Sequence, residues 1–209
     1  AGQAWKEALA AVAALDIGAV ELHVKWLERL AEKHMIEGLR AELGQQNIRP
    51  VLLDTPSQFR SPAIARQCLS SALSLGERIG AAYVVLPSAS LIAPGERVNS
   101  EEVTDHLTDL AALAEEHGMT ILLENHPLGI ATGQCLGEIV ARINRPGLQA
   151  CFDPAGFVAL KRHPFLAELM FGPLKQHIGC LRLRDAVFEN GAEVLRNEGN
   201  AELKELVSA

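Results

Sequence analysis

The sequence predicts an α/β fold in which a parallel sheet curls into a (β/α) barrel, and three observations carry that prediction. Short β-rich runs that each end in a polar residue alternate with stretches of helical spacing. From Asp54 to Asp185 the strand ends recur about every 30 to 38 residues, the size of one β/α unit. The chain opens on a helix with no strand before it and closes on a helix with no strand after it, so one further strand at each end would complete eight units. The expectation is a single domain over residues 1–209, a parallel (β/α) TIM barrel lacking its first and last strands. The competing architecture, an open doubly wound sheet, would call for a Gly-rich phosphate loop after the first visible strand, and none follows it.

The opening helix runs from Trp5 to about Leu15. "AVELHV" (19 to 24) is the first strand, followed by helical spacing at Leu27, Leu30 and Ala31. "RPVLLD" (49 to 54) is the second, with Leu69, Leu73 and Ile79 marking the helix behind it. "YVVLPS" (83 to 88) and the helix of Leu107, Leu110, Leu113 and Ala114 make the third unit. "TILLEN" (120 to 125), "QACFDP" (149 to 154) and "CLRLRD" (180 to 185) are the remaining strands, and "AELKELVSA" is the closing helix. Pro56, Gly118, Pro146 with Gly147, and Gly172 with Pro173 punctuate the units.

Composition narrows the function classes. At 209 residues and 48% hydrophobic the chain is long enough for one sizeable core. A net charge of -7, a pI near 5.5 and no Lys/Arg-rich stripe argue against a phosphate-backbone partner, so nucleic acid is excluded as a ligand. No stretch reaches the roughly 18 apolar residues of a membrane helix, and "AGQAWKEALA" lacks the basic start of a signal peptide. Cys68, Cys135, Cys151 and Cys180 are widely spaced with no C-x-x-C, the pattern of neither a zinc knuckle nor a redox pair. A soluble, cytoplasmic protein with reduced thiols is expected, and the composition leaves oligomeric assembly open.

Candidate chemistry comes from strand alternation. In a parallel barrel alternate residues face inward and the C-terminal strand ends carry the site. Glu21 and His23 then share one face, Leu122 and Glu124 another, Cys151 and Asp153 a third, and Cys180, Arg182 and Arg184 a fourth. Each has an ordinary explanation alone: Glu21 a solvated strand end, His23 a core histidine, Asp153 a cap before Pro154, Arg182 the partner of a carboxylate. Four such faces in successive units point to a shared pocket, because an unpaired buried carboxylate costs several kcal/mol unless a cation offsets it. His126 stands beside Glu124 at the rim of that pocket.

"GAVELHV", "GMTILLENHP", "LQACFDPAGF" and "IGCLRLRDA" resemble, in order and spacing, the xylose isomerase-like TIM barrels, the superfamily of sugar isomerases and epimerases that also includes AP endonuclease family 2. The resemblance covers nearly the whole chain. It implies that Glu124 and Asp153 are ligands of a divalent metal, and that a sugar or sugar phosphate is isomerised or epimerised by proton transfer beside its carbonyl through an enediolate. This sequence departs from the family pattern at three points. Where the family has His-x-Lys-Asp, this chain has Arg182, Leu183, Arg184 and Asp185, and a guanidinium does not bind a metal. Gly156 stands where some members carry a second histidine, and a final-strand glutamate has no counterpart within these residues. The expectation is a degraded metal site in which Arg182 pairs with Asp153 or Glu124 and takes over the cation's electrostatic role. Glu124 and Arg182 are then the catalytic candidates, and Glu21, His23, His126 and Arg184 the substrate-binding ones. The alternative expectation is a non-catalytic descendant that binds a carbohydrate or a partner in the same pocket.

Overall fold

The computed structural model describes residues 4–56, 62–92, 100–170, 172–189, 192–195 and 199–209. Helix α1 (Ala4–Ala14) precedes β1 (Ala19–His23), and β2 (Arg49–Asp54), β3 (Tyr83–Pro87), β4 (Thr120–Glu124), β5 (Leu148–Phe152) and β6 (Ile178–Leu181) follow. The six pair in sequential order, all parallel, so the strand order expected of a barrel wall is present with no reversal about a switch point. Among the described residues β1 and β6 are the edges of this sheet.

Parallel neighbours need a crossover, and helices supply it. Helix α4 (Pro62–Ile79) links β2 to β3, α5 (Ser100–Glu116) links β3 to β4, and α6 (Gly133–Ile143) links β4 to β5. The first crossover differs from the single helix expected there. It is split into α2 (Val24–Ala31) and α3 (Ile36–Gln45), with His34 between them in the left-handed region at φ 54°. Helix α7 (Pro154–Val158), a π-helical turn (Pro164–Leu169) and a 3-10 turn (Pro173–His177) link β5 to β6. The chain then forms an antiparallel pair, β7 (Ala186–Glu189) and β8 (Ala192–Leu195), before α8 (Leu203–Ser208). That hairpin is additional to the six strands expected from the sequence.

Two apolar regions result from the two faces of the sheet. The larger packs the helices on the outer face through residues such as Leu27, Leu39, Leu73, Leu107, Leu110 and Phe157. The smaller lies on the inner face and consists of Leu52, Val85, Leu122 and Cys151, with Tyr83 and Cys180 against them. Residues two positions further along each strand, Asp54, Glu124 and Asp153, continue that inner face toward the C-terminal ends. The core thus closes the bottom of the barrel and leaves polar side chains at its mouth.

The fit of α6 against the β5–β6 crossover fixes that mouth on one side. The Gly133 N–H donates to Glu168 Oε2 at 2.6 Å, and Glu168 is buried and ion-paired to Arg162. A Cβ on Gly133 would lie 2.4 Å from the Glu168 carbonyl oxygen. Gly133→Ala is expected to cost about 2 kcal/mol of stability through overpacking against backbone. Gly38→Ala in α3, where a Cβ meets nothing within 4 Å, is expected to gain about 0.5–1 kcal/mol. Chemical denaturation of the two variants checks both signs.

Candidate active site

A cavity of about 580 Å³ opens at the C-terminal ends of the strands and is lined by His23, Asp54, Glu124, His126, Asp153, Arg182 and Arg184, among others. Glu21, one turn of the pleat below His23, meets the same cluster through Arg182. All seven residues singled out in the sequence therefore converge, the outcome that strand alternation predicts.

Each is placed by local structure. Glu124 is the last residue of β4, and Asn125 turns the chain outward. Asn125 is buried and clamps the next strand: its Nδ2 donates to the Asp153 carbonyl at 2.8 Å, and its Oδ1 accepts from the Asp153 N–H at 2.8 Å. Asp153 caps α7 by accepting from the Ala155 N–H at 3.1 Å, and its other oxygen is ion-paired to Arg184. Arg182 follows β6, its N–H donating to the Phe152 carbonyl at 2.9 Å and so continuing the ladder by one step.

Arg182 is the centre of the charge arrangement. Its Nη2 lies 3.0 Å from Glu21 Oε1 and 3.1 Å from Asp54 Oδ1, and its Nε lies 2.7 Å from Glu124 Oε1. The expected pairing with Glu124 is present; Asp153 is taken by Arg184 instead. The Nε contact is not aligned as a hydrogen bond, so Arg182 Nε is a buried donor without a hydrogen-bond partner among the described residues. Burial works against the guanidinium's charge, but Glu124, Glu21 and Asp54 outweigh it and raise its pKa further.

Glu124 responds the other way. Its side chain is 13% exposed, and burial pushes its carboxyl up to about 7. The Arg182 charge opposes that rise, while Asp153 and Asp54 reinforce it. Two histidines complete the mouth in the same manner as each other. Nδ1 of His23 accepts from the Lys25 N–H at 3.2 Å, and Nδ1 of His126 accepts from the Leu128 N–H at 3.1 Å. In a neutral ring that leaves Nε2 as the donor in both. Burial lowers the pKa of His126, against the pull of Asp153, which favours that neutral form.

Sequence reasoning missed two participants and one pairing. Asp54 ends "RPVLLD" on the same apolar-then-acidic pattern as Glu124, and alternation with Leu52 would have placed it inside. Asn125 enters the sequence reading only within "TILLEN" and "GMTILLENHP", although an amide buried between two strand ends is a natural clamp. Cys151 and Cys180, which alternation sets on the inner faces of two strands, are register neighbours on β5 and β6. Hydrogen bonding to Cys180 together with burial raises the Cys151 thiol, whereas Cys151 and Arg182 lower that of Cys180.

The donor set does not fit a divalent metal. Both carboxylates that the family resemblance makes ligands are engaged by guanidiniums, and Asp153 also caps a helix. A Cβ at Gly156 would lie 2.7 Å from Asn125 Nδ2, so a histidine there would displace the clamp. Among the described residues no group of three or more His, Cys, Asp or Glu side chains is arranged to hold a metal ion. No helix among them is long and apolar enough to cross a membrane.

Comparison with known proteins places this geometry. A family model described as xylose isomerase-like TIM barrel matches residues 9–206. A solved IolI protein with a bound zinc atom is 21% identical, with a TM-score of 0.73 over 98% of this chain and 77% of that one. A D-tagatose 3-epimerase-like protein is 20% identical, with a TM-score of 0.72 over 91% of this chain and 76% of its own. A xylose isomerase domain protein from Planctomyces limnophilus is 16% identical, with a TM-score of 0.69 over 94% and 76%. At these identities the likeness is one of fold. No curated protein matches the chain.

Asn125→Ala is expected to remove both clamp bonds and leave the buried Asp153 N–H unpaired, while the Asp153 carbonyl keeps the Gly156 N–H, a loss of about 1–3 kcal/mol. Urea unfolding measures it. A loss below about 0.5 kcal/mol would mean that the strand ends hold their positions without the amide.

Proposed function

Because the chain belongs to the xylose isomerase-like TIM-barrel family, we propose that it is a sugar isomerase or epimerase that moves a proton beside a carbonyl through an enediolate. One observation above all supports this reading: a buried carboxylate, Glu124, is raised to about 7 beside Arg182 Nε, which is ion-paired to it at 2.7 Å but makes no aligned hydrogen bond. A general base works best with a pKa near the operating pH, and a fixed donor works best where negative charge develops.

In this mechanism ionised Glu124 takes the proton from the carbon next to the carbonyl. The electron pair of that C–H bond becomes the C=C bond, and the carbonyl electrons move to oxygen, where Arg182 Nε–H receives the charge. Protonated Glu124 then returns its proton to the former carbonyl carbon as the neighbouring C–OH becomes the new carbonyl and its hydroxyl proton passes to the enediolate oxygen, giving the isomer. Epimerisation at one carbon needs a proton from the opposite face as well. Glu21 and Asp54 share Arg182 with Glu124 but are 38% and 32% exposed against its 13%, so among the described residues Glu124 is the buried base and the one-base transfer is the better supported. His23 and His126 offer Nε2–H donors to hydroxyl groups, and Asp153 holds Arg184 at the rim.

The cluster has four carboxylates, Glu21, Asp54, Glu124 and Asp153, against two guanidiniums already paired with them. Lys25 is a further cation on the cavity wall, and four carboxylates against three cations still favour a neutral polyhydroxy ligand over a sugar phosphate. The occupied state of both guanidiniums also supports a second reading, a carbohydrate-binding protein without turnover. Incubation with ketohexoses such as D-fructose and D-tagatose in heavy water separates the two. Deuterium at the carbon next to the carbonyl supports catalysis; saturable binding without exchange supports the second reading.

Three outcomes are expected. Exchange should rise about tenfold per pH unit below pH 7 and level off above it, as Glu124 ionises. Glu124→Gln should abolish exchange while holding or raising the melting temperature at pH 8. The sign follows from linkage. The folded pKa is raised from 4.5 to about 7, so this group's contribution is fully present below 4.5 and about 3 kcal/mol of it is lost by pH 7. Metal analysis should find less than one equivalent in the native protein and a gain in Arg182→His, since the guanidinium repels a divalent ion by several kcal/mol at about 4 Å. Tight stoichiometric metal in the native protein would contradict the role given to Arg182.

A further inference from the structure

We propose that Cys151 and Cys180 form an oxidative modification site, at which hydrogen peroxide converts the thiol pair into an intramolecular disulfide that ties β5 to β6 inside the barrel. The two residues are direct register partners on neighbouring parallel strands. Such strands lie about 4.8 Å apart, within the roughly 4.4–6.8 Å that a disulfide spans between Cα atoms. Both side chains belong to the inner apolar cluster, so they point to the same side of the sheet and lie within hydrogen-bonding reach of each other. The register shifts between Ala150 and Cys151, a local irregularity that loosens the ladder where the sulfurs must approach.

Access orders the steps. Cys151 is fully buried, whereas Cys180 is half-buried and carries Arg182 two residues further along the same face. The Cys180 thiolate attacks peroxide, the O–O bond breaks, and a sulfenic acid and hydroxide form. The sulfur of Cys151 then attacks the Cys180 sulfur, losing its proton as the S–O bond breaks and water leaves. In sum, two thiols lose two hydrogens and one peroxide becomes two waters. Glu124 is the register partner of Cys151 on its other side, so the row Glu124, Cys151, Cys180 runs across three strands. Oxidation therefore alters the immediate neighbourhood of the base, and a dithiol reductant restores it.

The site stands apart from the enzymatic reading and its test needs no substrate. Native protein is treated with hydrogen peroxide, free thiols are blocked with N-ethylmaleimide, and non-reduced tryptic peptides are analysed by mass spectrometry. The expected product joins peptide 143–161 to peptide 176–182, lighter than their sum by two hydrogens, while Cys68 and Cys135 carry the blocking group. It disappears on treatment with dithiothreitol. Four blocked thiols after peroxide, a sulfinic acid at Cys180 with Cys151 still blocked, or a crosslink through Cys68 or Cys135 would each overturn the proposal. Cys151→Ser serves as the control: with no resolving thiol, Cys180 should be trapped as a sulfenic acid that dimedone labels, and absence of that label would also count against it.

Discussion

One guanidinium, that of Arg182, holds three carboxylates contributed by three different strands, and the pocket depends on it. Glu21 comes from β1, Asp54 from β2 and Glu124 from β4, while Arg182 itself follows β6. Acidic side chains this close would repel one another, and the buried Glu124 charge carries a desolvation cost of several kcal/mol. A central cation offsets both. The contact also joins β1 and β6, the two edge strands of the sheet, across the inside of the barrel. The electrostatic centre is thus a fastening between the ends of the sheet as well as part of the site.

A guanidinium and a metal ion are not equivalent at that position. A divalent ion accepts lone pairs from carboxylates and from substrate oxygens alike, and is a Lewis acid for a carbonyl. Arginine supplies one positive charge and directional N–H donors. With half the charge at the centre, burial and the like charges of Asp153 and Asp54 dominate the environment of Glu124, which is why its carboxyl rises despite a cation 2.7 Å away. The same substitution changes what the rest of the mouth must do. His23 and His126 each have Nδ1 committed to a backbone N–H two residues on, which leaves Nε2 as the free ring nitrogen at the mouth.

Much of this was legible in the sequence because a barrel translates local pattern into position with few free variables. Period-2 alternation in β4, β5 and β6 assigns Glu124, Asp153 and Arg182 to the inner face, and sequential parallel order makes those faces adjacent. What escaped the sequence depended on register or on local breaks in regularity. That Cys151 and Cys180 are partners follows from how β5 and β6 align, including a register shift that no propensity reveals. Asp54 was visible as a strand end, but its partner is 128 residues away. The split of the first crossover rests on His34 adopting a left-handed conformation, a choice that its residue type does not announce. Strand ends were read one to four residues too far in β1, β3, β4, β5 and β6, since polar residues that leave the ladder still alternate like those within it.

The central claim is that Glu124 is balanced near neutrality by burial against the charge of Arg182. Its most direct test is titration of the Glu124 carboxyl itself, by carbon-13 NMR with Glu124→Gln to assign the signal, in native protein and in Arg182→Met. The account predicts a midpoint of about 7 in the native protein and a higher one once the guanidinium is gone, because burial, Asp153 and Asp54 then favour the neutral acid against only the smaller opposing effect of Arg184. A native midpoint in the ordinary carboxylate range, or one that does not move when the arginine is replaced, would contradict it.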